Sequence, residues 1–231
     1  SNQRKDLLEY AYHTYDNVVA VTDDIVAPTQ ILAGKDKKIN IVKNTIDYKT
    51  ILANSEQPIA LDPTTKCSVK PEKFYEIMQS DAKKFINVGR YSPEKGHDRL
   101  IDAFYKLWQK DNSIYLIIIG GNSRAKKYEE LIEKVNEMGL SENVILLLSV
   151  SNPYPIIKAC NGFILSSLYE GFGLVLAEAN ILGLPIVSTD ITGPRTFMNK
   201  YGGTLIEDSE DGVYKGLEML YNNEIKPINV D

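Results

Sequence analysis

The sequence predicts an α/β protein built on a doubly wound parallel sheet, and three observations carry that expectation. Runs such as Tyr115–Gly120 (YLIIIG) are continuously apolar, as strands covered on both faces must be. Strand-like runs alternate with helical patterns, the rhythm of βαβ units. The stretch from Leu165 to Ser188, LSSLYEGFGLVLAEANILGLPIVS, reads as strand end, glycine turn, helix, stop and strand.

Taken in order, residues 4–14 read as a helix and residues 17–21 (NVVAV) as a strand. Thr22 or Asp23 is a candidate N-cap for a helix over 24–33 that Gly34 closes, and residues 39–42 (INIV) form the next strand. Strand, helix, strand is a unit that belongs in a larger parallel sheet, so residues 1–44 look like part of a domain. Residues 45–82 read as linker, with short helices possible at 47–54 and 71–80 and three prolines between Gln57 and Pro71. From residue 83 to 231 the rhythm is regular. Strands are expected at 84–88, 114–119, 144–147, 162–165, 185–188 and 203–206. Helices are expected at 96–110, 124–138, 153–159, 173–182, 194–199 and 211–221.

Composition removes several function classes. The 231 residues carry a net charge of −5, which argues against nucleic acid and gives no general pull toward anionic membranes. Cys67 and Cys160 lie far apart in unlike contexts, so free thiols in a reducing compartment are the simple expectation. No apolar run approaches the ~20 residues of a membrane span. No signal peptide opens the chain, Ser1-Asn2 resembles a cloning remnant, and the abrupt start suits an excised fragment.

In a doubly wound sheet, ligands bind beyond the carboxyl ends of the strands, so each strand end is a candidate. The first is followed by Gly89-Arg90-Tyr91-Ser92-Pro93-Glu94-Lys95-Gly96, where Arg90 and Lys95 can both reach phosphate oxygens. A solvated charged loop is the competing reading. Gly120-Gly121-Asn122-Ser123 follows the second and allows a flat ring or a phosphate close to the backbone. The backbone of Ser149, Val150, Ser151 and Asn152, after the third, can pair with the edge of a base. The fourth strand end leads to Glu170, then Gly171-Phe172-Gly173 and a helix from Leu174 that is apolar nearly all round except at Glu178. A carboxylate in that position must be paired with a cation or face a ligand. The amides of Gly171, Phe172, Gly173 and Leu174 are free to meet an anion, which the helix dipole favours. Glu178 can accept hydrogen bonds from a vicinal diol such as ribose. Glu170 is either a solvated cap or the acceptor for whatever lies beyond the phosphate. Neither G-x-G-x-x-G nor G-x-x-x-x-G-K-[ST] occurs, so a dinucleotide dehydrogenase is disfavoured.

GRYSPEKGHDRLIDAF, SLYEGFGLVLAEANILGLPIV and INIVKNTID together resemble the retaining glycosyltransferases of the GT-B fold, the sucrose-synthase and mannosyltransferase-like family four. Glu170 and Glu178, a Glu-x7-Glu pair, are its most specific mark. The resemblance covers residues 17–44 and about 84–221. It implies that 83–231 is the C-terminal, nucleotide-sugar-binding half and 1–44 a remnant of the acceptor-side half. By the same resemblance Arg90 and Lys95 hold the diphosphate, Glu178 the ribose and Glu170 the donor sugar. Gly89, Gly120, Gly121, Ser149, Val150, Gly171, Phe172, Gly173 and Leu174 complete the donor site. Three departures stand out. Thr45 follows Asn44 where the family has glycine, and Thr196 stands where it has glutamate. The histidine near the donor sugar has no counterpart either: His13 is no substitute, and His97 reads as a helix cap.

What the resemblance implies is transfer of a sugar from a nucleoside diphosphate, UDP before others, to an acceptor hydroxyl with retention. Neither cofactor nor metal is expected. The acceptor would be a polysaccharide, a lipid-linked sugar or another polymer such as teichoic acid, held through the N-terminal half. The work would take place in the cytoplasm or at the inner membrane face, with membrane contact at most peripheral. A nucleotide-sugar-binding module without turnover and a nucleotide-sugar epimerase of similar architecture are the alternatives.

Overall fold

The computed structural model describes residues 2–20, 26–34, 36–42, 45–121 and 125–228. The chain forms two compact units, Ser1–Ile46 and Asp47–Asp231. The expected cap at Thr22 or Asp23, the helix starts at Asp24 and Arg124, and Asn44, Asn122 and Ser123 lie outside the described residues. No helix among those described is long and apolar enough to cross a membrane.

The first unit contains α1 (Asn2–Thr14), β1 (Val18–Ala20), α2 (Val26–Ala33) and β2 (Ile39–Ile41). β1 and β2 pair in parallel with Val18 opposite Ile39. Val18, Ala20 and Ala33 are buried, which accounts for small and branched apolar residues at those points. The Gln30 side-chain amide closes the turn after α2 by donating to the carbonyls of Gly34 at 2.6 Å and Lys37 at 2.9 Å.

In the second unit, α3 (Tyr48–Ser55), β3 (Lys66–Cys67) and α4 (Pro71–Gln79) precede the regular alternation. It then runs β4 (Lys84–Val88), α5 (His97–Trp108), β5 (Tyr115–Gly120), α6 (Ala125–Glu137), β6 (Val144–Leu148) and α7 (Tyr154–Lys158). β7 (Gly162–Leu165), α8 (Leu174–Ile181), β8 (Ile186–Thr189), α9 (Thr192–Tyr201), β9 (Thr204–Ile206) and α10 (Glu210–Tyr221) complete it. The sheet order is β3-β6-β5-β4-β7-β8-β9, parallel throughout except for β3. Counted from β4, the chain first builds outward through β5 and β6, then returns and builds the other way through β7, β8 and β9. The order therefore reverses between β4 and β7, the place where such a sheet opens a crevice.

From Asp47 onward the segment expected as a linker belongs to this unit. Asp47 caps α3 by accepting from the Thr50 amide at 3.1 Å, and α4 buries Phe74, Ile77 and Met78. β3 lies antiparallel against β6, Lys66 opposite Leu148 and Cys67 opposite Leu147. Its two residues are too short a run for a periodicity to reveal, and the prolines around it look like those of a linker. The core explains the apolar strands. Phe85, Leu116, Ile118, Leu146, Ile164 and Val187 are fully buried with Leu100, Phe104 and Leu107 of α5 and Leu217 of α10.

Candidate nucleotide-sugar site

At the reversal point two loops meet. One leaves β4 and passes through a 3-10 turn, Pro93–Lys95, before α5 begins. The other leaves β7 and leads through Glu170 to α8. Gly96 joins the turn to α5 with φ +63°, and a Cβ there would overlap the Ser166 carbonyl oxygen. Only glycine accepts that backbone and that approach at once. The Leu168 amide donates to the Glu94 carbonyl at 2.8 Å, and the Ser166 hydroxyl donates to the Lys95 carbonyl at 3.1 Å. Arg99 fastens the same contact from α5, donating to the carbonyls of Ser166 and Ser167 at 2.8 Å each while its guanidinium pairs with Asp208 at 2.7 Å.

That fastening brings Lys95 and Glu170 together. The Lys95 ammonium donates directly to Glu170 Oε2, and the two side chains are only 13% and 17% exposed. Ser167 Oγ stands 3.5 Å from the same oxygen. Arg90 is not part of this pair: its side chain is 63% exposed, with one guanidinium nitrogen 3.6 Å from Glu94. A Cβ at Gly89 would crowd the methylenes of Lys95, 3.3 Å away, so glycine there leaves that side chain its room.

Between Glu170 and α8, Gly173 takes the left-handed conformation with φ +78° and serves as N-cap without a side chain. Among the described residues no intramolecular bond occupies the amides of Gly171, Phe172, Gly173 or Leu174. The edge of Phe172 meets the ring of Phe197, their centroids 6.3 Å apart, which fixes the turn against α9. One turn into the helix Glu178 is partly buried, and burial raises the pKa of its carboxyl. The Tyr154 hydroxyl, at the start of α7, lies 3.5 Å from Glu178 Oε1 and partly opposes that shift. No cation pairs with Glu178 among the described residues, so the ion-pair reading of this carboxylate does not hold.

Other strand ends differ from their expected use. At Gly120 the space for a Cβ is taken by the ring of Tyr91, whose hydroxyl lies 2.9 Å from the Ile118 carbonyl and 2.8 Å from that of Leu147. Gly120 is thus small to admit Tyr91, whereas Gly121 faces open space. Ser149 sits at φ +64°, its amide bonded to the Gly120 carbonyl at 2.9 Å and its carbonyl to the Thr65 hydroxyl at 3.0 Å. The Ser151 amide goes to Asp62 at 3.2 Å. Of the expected base-pairing stretch, the Val150 peptide groups, the Ser151 carbonyl and the Asn152 backbone are left over among the described residues.

His97 is also no cap. It is fully buried with Nε2 3.1 Å from Asn87 Oδ1, and burial lowers its pKa to about 4. The acidic run near the tail is a capped and paired helix start. Ser209 accepts from the Gly212 amide at 3.0 Å, and Lys106 of α5 reaches Glu210 at 2.8 Å. Sequence reasoning missed Asn87, Arg99 and Tyr154, since each acts on a residue far away along the chain.

Comparison with known proteins agrees with this geometry. The family profile described as "Glycosyl transferases group 1" matches residues 70–229. An uncharacterised glycosyltransferase of Methanocaldococcus jannaschii is 36% identical over 195 residues, covering 82% of this chain and 44% of that protein. An N-acetylgalactosaminyltransferase of Campylobacter jejuni, named for action on a diphospho-undecaprenol-linked sugar, is 30% identical over 191 residues, 81% of this chain and 46% of its own. The chain thus spans about half the length of the curated relatives it matches. The crystal structure of Anabaena Alr3699/HepE in complex with UDP and glucose superposes with a TM-score of 0.75 at 18% identity, over 97% of this chain and 59% of that one. That likeness is one of fold. Profile, relatives and sheet order point the same way: this chain belongs to the group 1 glycosyl transferases, with the Rossmann-like half of a GT-B fold.

Proposed function

We propose that the second unit binds a nucleoside diphosphate sugar, UDP before other nucleotides, and offers its anomeric carbon to an acceptor hydroxyl for transfer with retention. The observation that carries this reading is the meeting of Lys95 and Glu170 at the sheet's reversal point, beside the amides of Gly171–Leu174, which no bond occupies among the described residues. A diphosphate placed on those amides draws Lys95 away from Glu170 and releases the carboxylate for the sugar hydroxyls. Glu178 then faces the ribose, with Tyr154 steadying it from α7. Arg90, exposed beside Glu94, closes on the phosphate from the solvent side.

In this mechanism the bond from the anomeric carbon to the phosphate oxygen breaks and its electron pair stays on the diphosphate. Lys95, Arg90 and the α8 amides stabilise that charge without a metal. The acceptor oxygen attacks from the same face, and its proton passes to the departing phosphate oxygen. We assign acceptor binding outside residues 47–231. The Anabaena structure's UDP and the Campylobacter relative's lipid-linked substrate support a UDP donor and a polysaccharide, lipid-linked or polymer acceptor. Such work suits the inner membrane face, with peripheral contact at most.

Calorimetry of this chain against UDP, GDP, ADP and CDP tests the reading. UDP binding without sugar transfer is the expected outcome, and no binding at millimolar nucleotide overturns it. Lys95→Ala is expected to cost UDP about 1.5–3 kcal/mol, the worth of a charge-assisted hydrogen bond, and UMP much less. Arg90→Ala costs less, about 0.2–1 kcal/mol, because its charge is solvated. Equal losses for UDP and UMP would place both cations away from the diphosphate.

A further inference from the structure

The strands that flank the reversal point do not stay paired to their ends. β4 runs to Val88 and β7 to Leu165, yet their parallel register stops at Ile86 opposite Phe163. On its other side β4 remains paired with β5 through Val88 opposite Ile119. Beyond the split, side chains replace the ladder. The Asn87 amide crosses from β4 and donates to the Ile164 carbonyl at 2.7 Å. Because that nitrogen donates, Oδ1 is the atom turned to His97, and the 3.1 Å contact requires the proton on His97 Nε2. Nδ1 is then bare, and it is buried without a partner. The ring itself is held against Tyr91, their centroids 5.4 Å apart. A buried imidazole with one nitrogen unsatisfied calls for an explanation, and the contact of the other nitrogen supplies one.

His97 is also the first residue of α5, directly after Lys95 and Gly96. It therefore ties the loop that carries Lys95 to the strand end that leads to Glu170, through Asn87 and Ile164. We infer that His97 is a positioning residue: by holding the Asn87 amide across the split between β4 and β7, it sets the spacing at which Lys95 meets Glu170 and, later, the diphosphate. The functional half of this inference rests on the donor-binding reading above. It adds a residue that touches neither ligand nor reacting atoms.

His97→Leu and His97→Gln separate this from a packing role. Glutamine places an amide nitrogen close to the position of Nε2, whereas leucine fills the space and donates nothing. Hydrogen exchange at the Leu168 amide, bonded to Glu94 across the two loops, reports the spacing without any ligand, with the core amide of Ile118 as the reference for global opening. In His97→Leu, Leu168 protection relative to Ile118 is expected to fall by roughly tenfold, local opening replacing global. The preference for UDP over UMP should fall in the same variant, with uridine affinity unchanged. His97→Gln should restore both. Should His97→Leu fail to fold, His97→Asn, too short to reach Asn87, carries the same readouts. Unchanged Leu168 protection in a folded leucine or asparagine variant overturns the inference, as does a glutamine variant that rescues neither quantity. If wild type binds no UDP, the donor reading fails, and Leu168 exchange alone still decides the positioning role.

Discussion

UDP affinity is expected to fall about 10- to 150-fold in Glu178→Gln, the equivalent of a lost charged hydrogen bond of roughly 1.5–3 kcal/mol, and to rise in Glu170→Gln. The two carboxylates flank one helix start but stand in different surroundings. Among the described residues Glu178 has no cation, only the Tyr154 hydroxyl at 3.5 Å, which leaves its acceptor capacity for the proposed ribose diol. Glu170 is bound to Lys95, and an incoming phosphate must displace it. A neutral amide at position 170 competes less for Lys95 and repels the diphosphate less, a gain of about 0.5–1.5 kcal/mol. From sequence position alone Glu170 would be silent toward bare UDP; the ion pair changes that expectation. A 2′-deoxyribose analogue should bind wild type more weakly and lose little more in Glu178→Gln. If Glu170→Gln weakens UDP as much as Glu178→Gln does, the ligand runs along α8 in the reverse sense.

Glu178→Gln also has a stability signature. Burial raises the Glu178 carboxyl's pKa above its ordinary value. For an acid with a raised folded pKa, the ionised form is disfavoured in the fold, so stability is lost as pH rises through that pKa. Glu178→Gln removes the titration. Its melting temperature should equal or exceed that of wild type at neutral pH and converge with it at acid pH. A binding residue that stabilises when replaced is the mark of a site shaped for ligand and not for the empty fold. A melting temperature lowered at neutral pH would show Glu178 to be structural.

Gly96→Ala should produce the largest stability loss of any conservative change near the site. Its φ of +63° costs an L-residue about 1–2 kcal/mol, and overlap of Cβ with the Ser166 carbonyl adds about 1–3 kcal/mol. The obstacle is backbone and cannot rotate away. Thermal or urea unfolding should therefore show about 2–5 kcal/mol, and UDP affinity should fall as the two loops part. Gly121→Ala, with open space around its Cβ, is the matched control and should be near neutral. Equal stability of the two variants would mean that the loops are not held together at Gly96.

Much of this molecule is legible in its residues because the signals are local. Continuous apolar runs mark strands covered on both faces, and all six expected in the main sheet lie within one residue of β4 to β9 at both ends, with β5 and β8 displaced by one. The turn Glu170-Gly171-Phe172-Gly173 and the helix after it follow from glycine punctuation and a lone carboxylate in an apolar stretch. Glycine at 120 was equally visible, but its reason was not, since the atom that needs the space belongs to Tyr91 on another loop. β3 was illegible because two residues paired antiparallel carry no period, and Asp47–Gln79 looked like linker for want of that pairing.

By itself the sequence determined the class of fold, the order of its strands along the chain, and the residue types proposed to hold a nucleoside diphosphate. Those depend on periodicity, turn chemistry and charge, all properties of neighbours in the chain. Tertiary structure alone decided which of those residues meet. It reversed the sheet between β4 and β7, joined Lys95 to Glu170 and left Arg90 in solvent. It also turned His97 from an apparent cap into a buried donor to Asn87. The reason is separation. Lys95 and Glu170 are apart in sequence by most of three βαβ crossovers, and only strand pairing, with the Gly96 and Arg99 contacts to Ser166, brings them into one crevice.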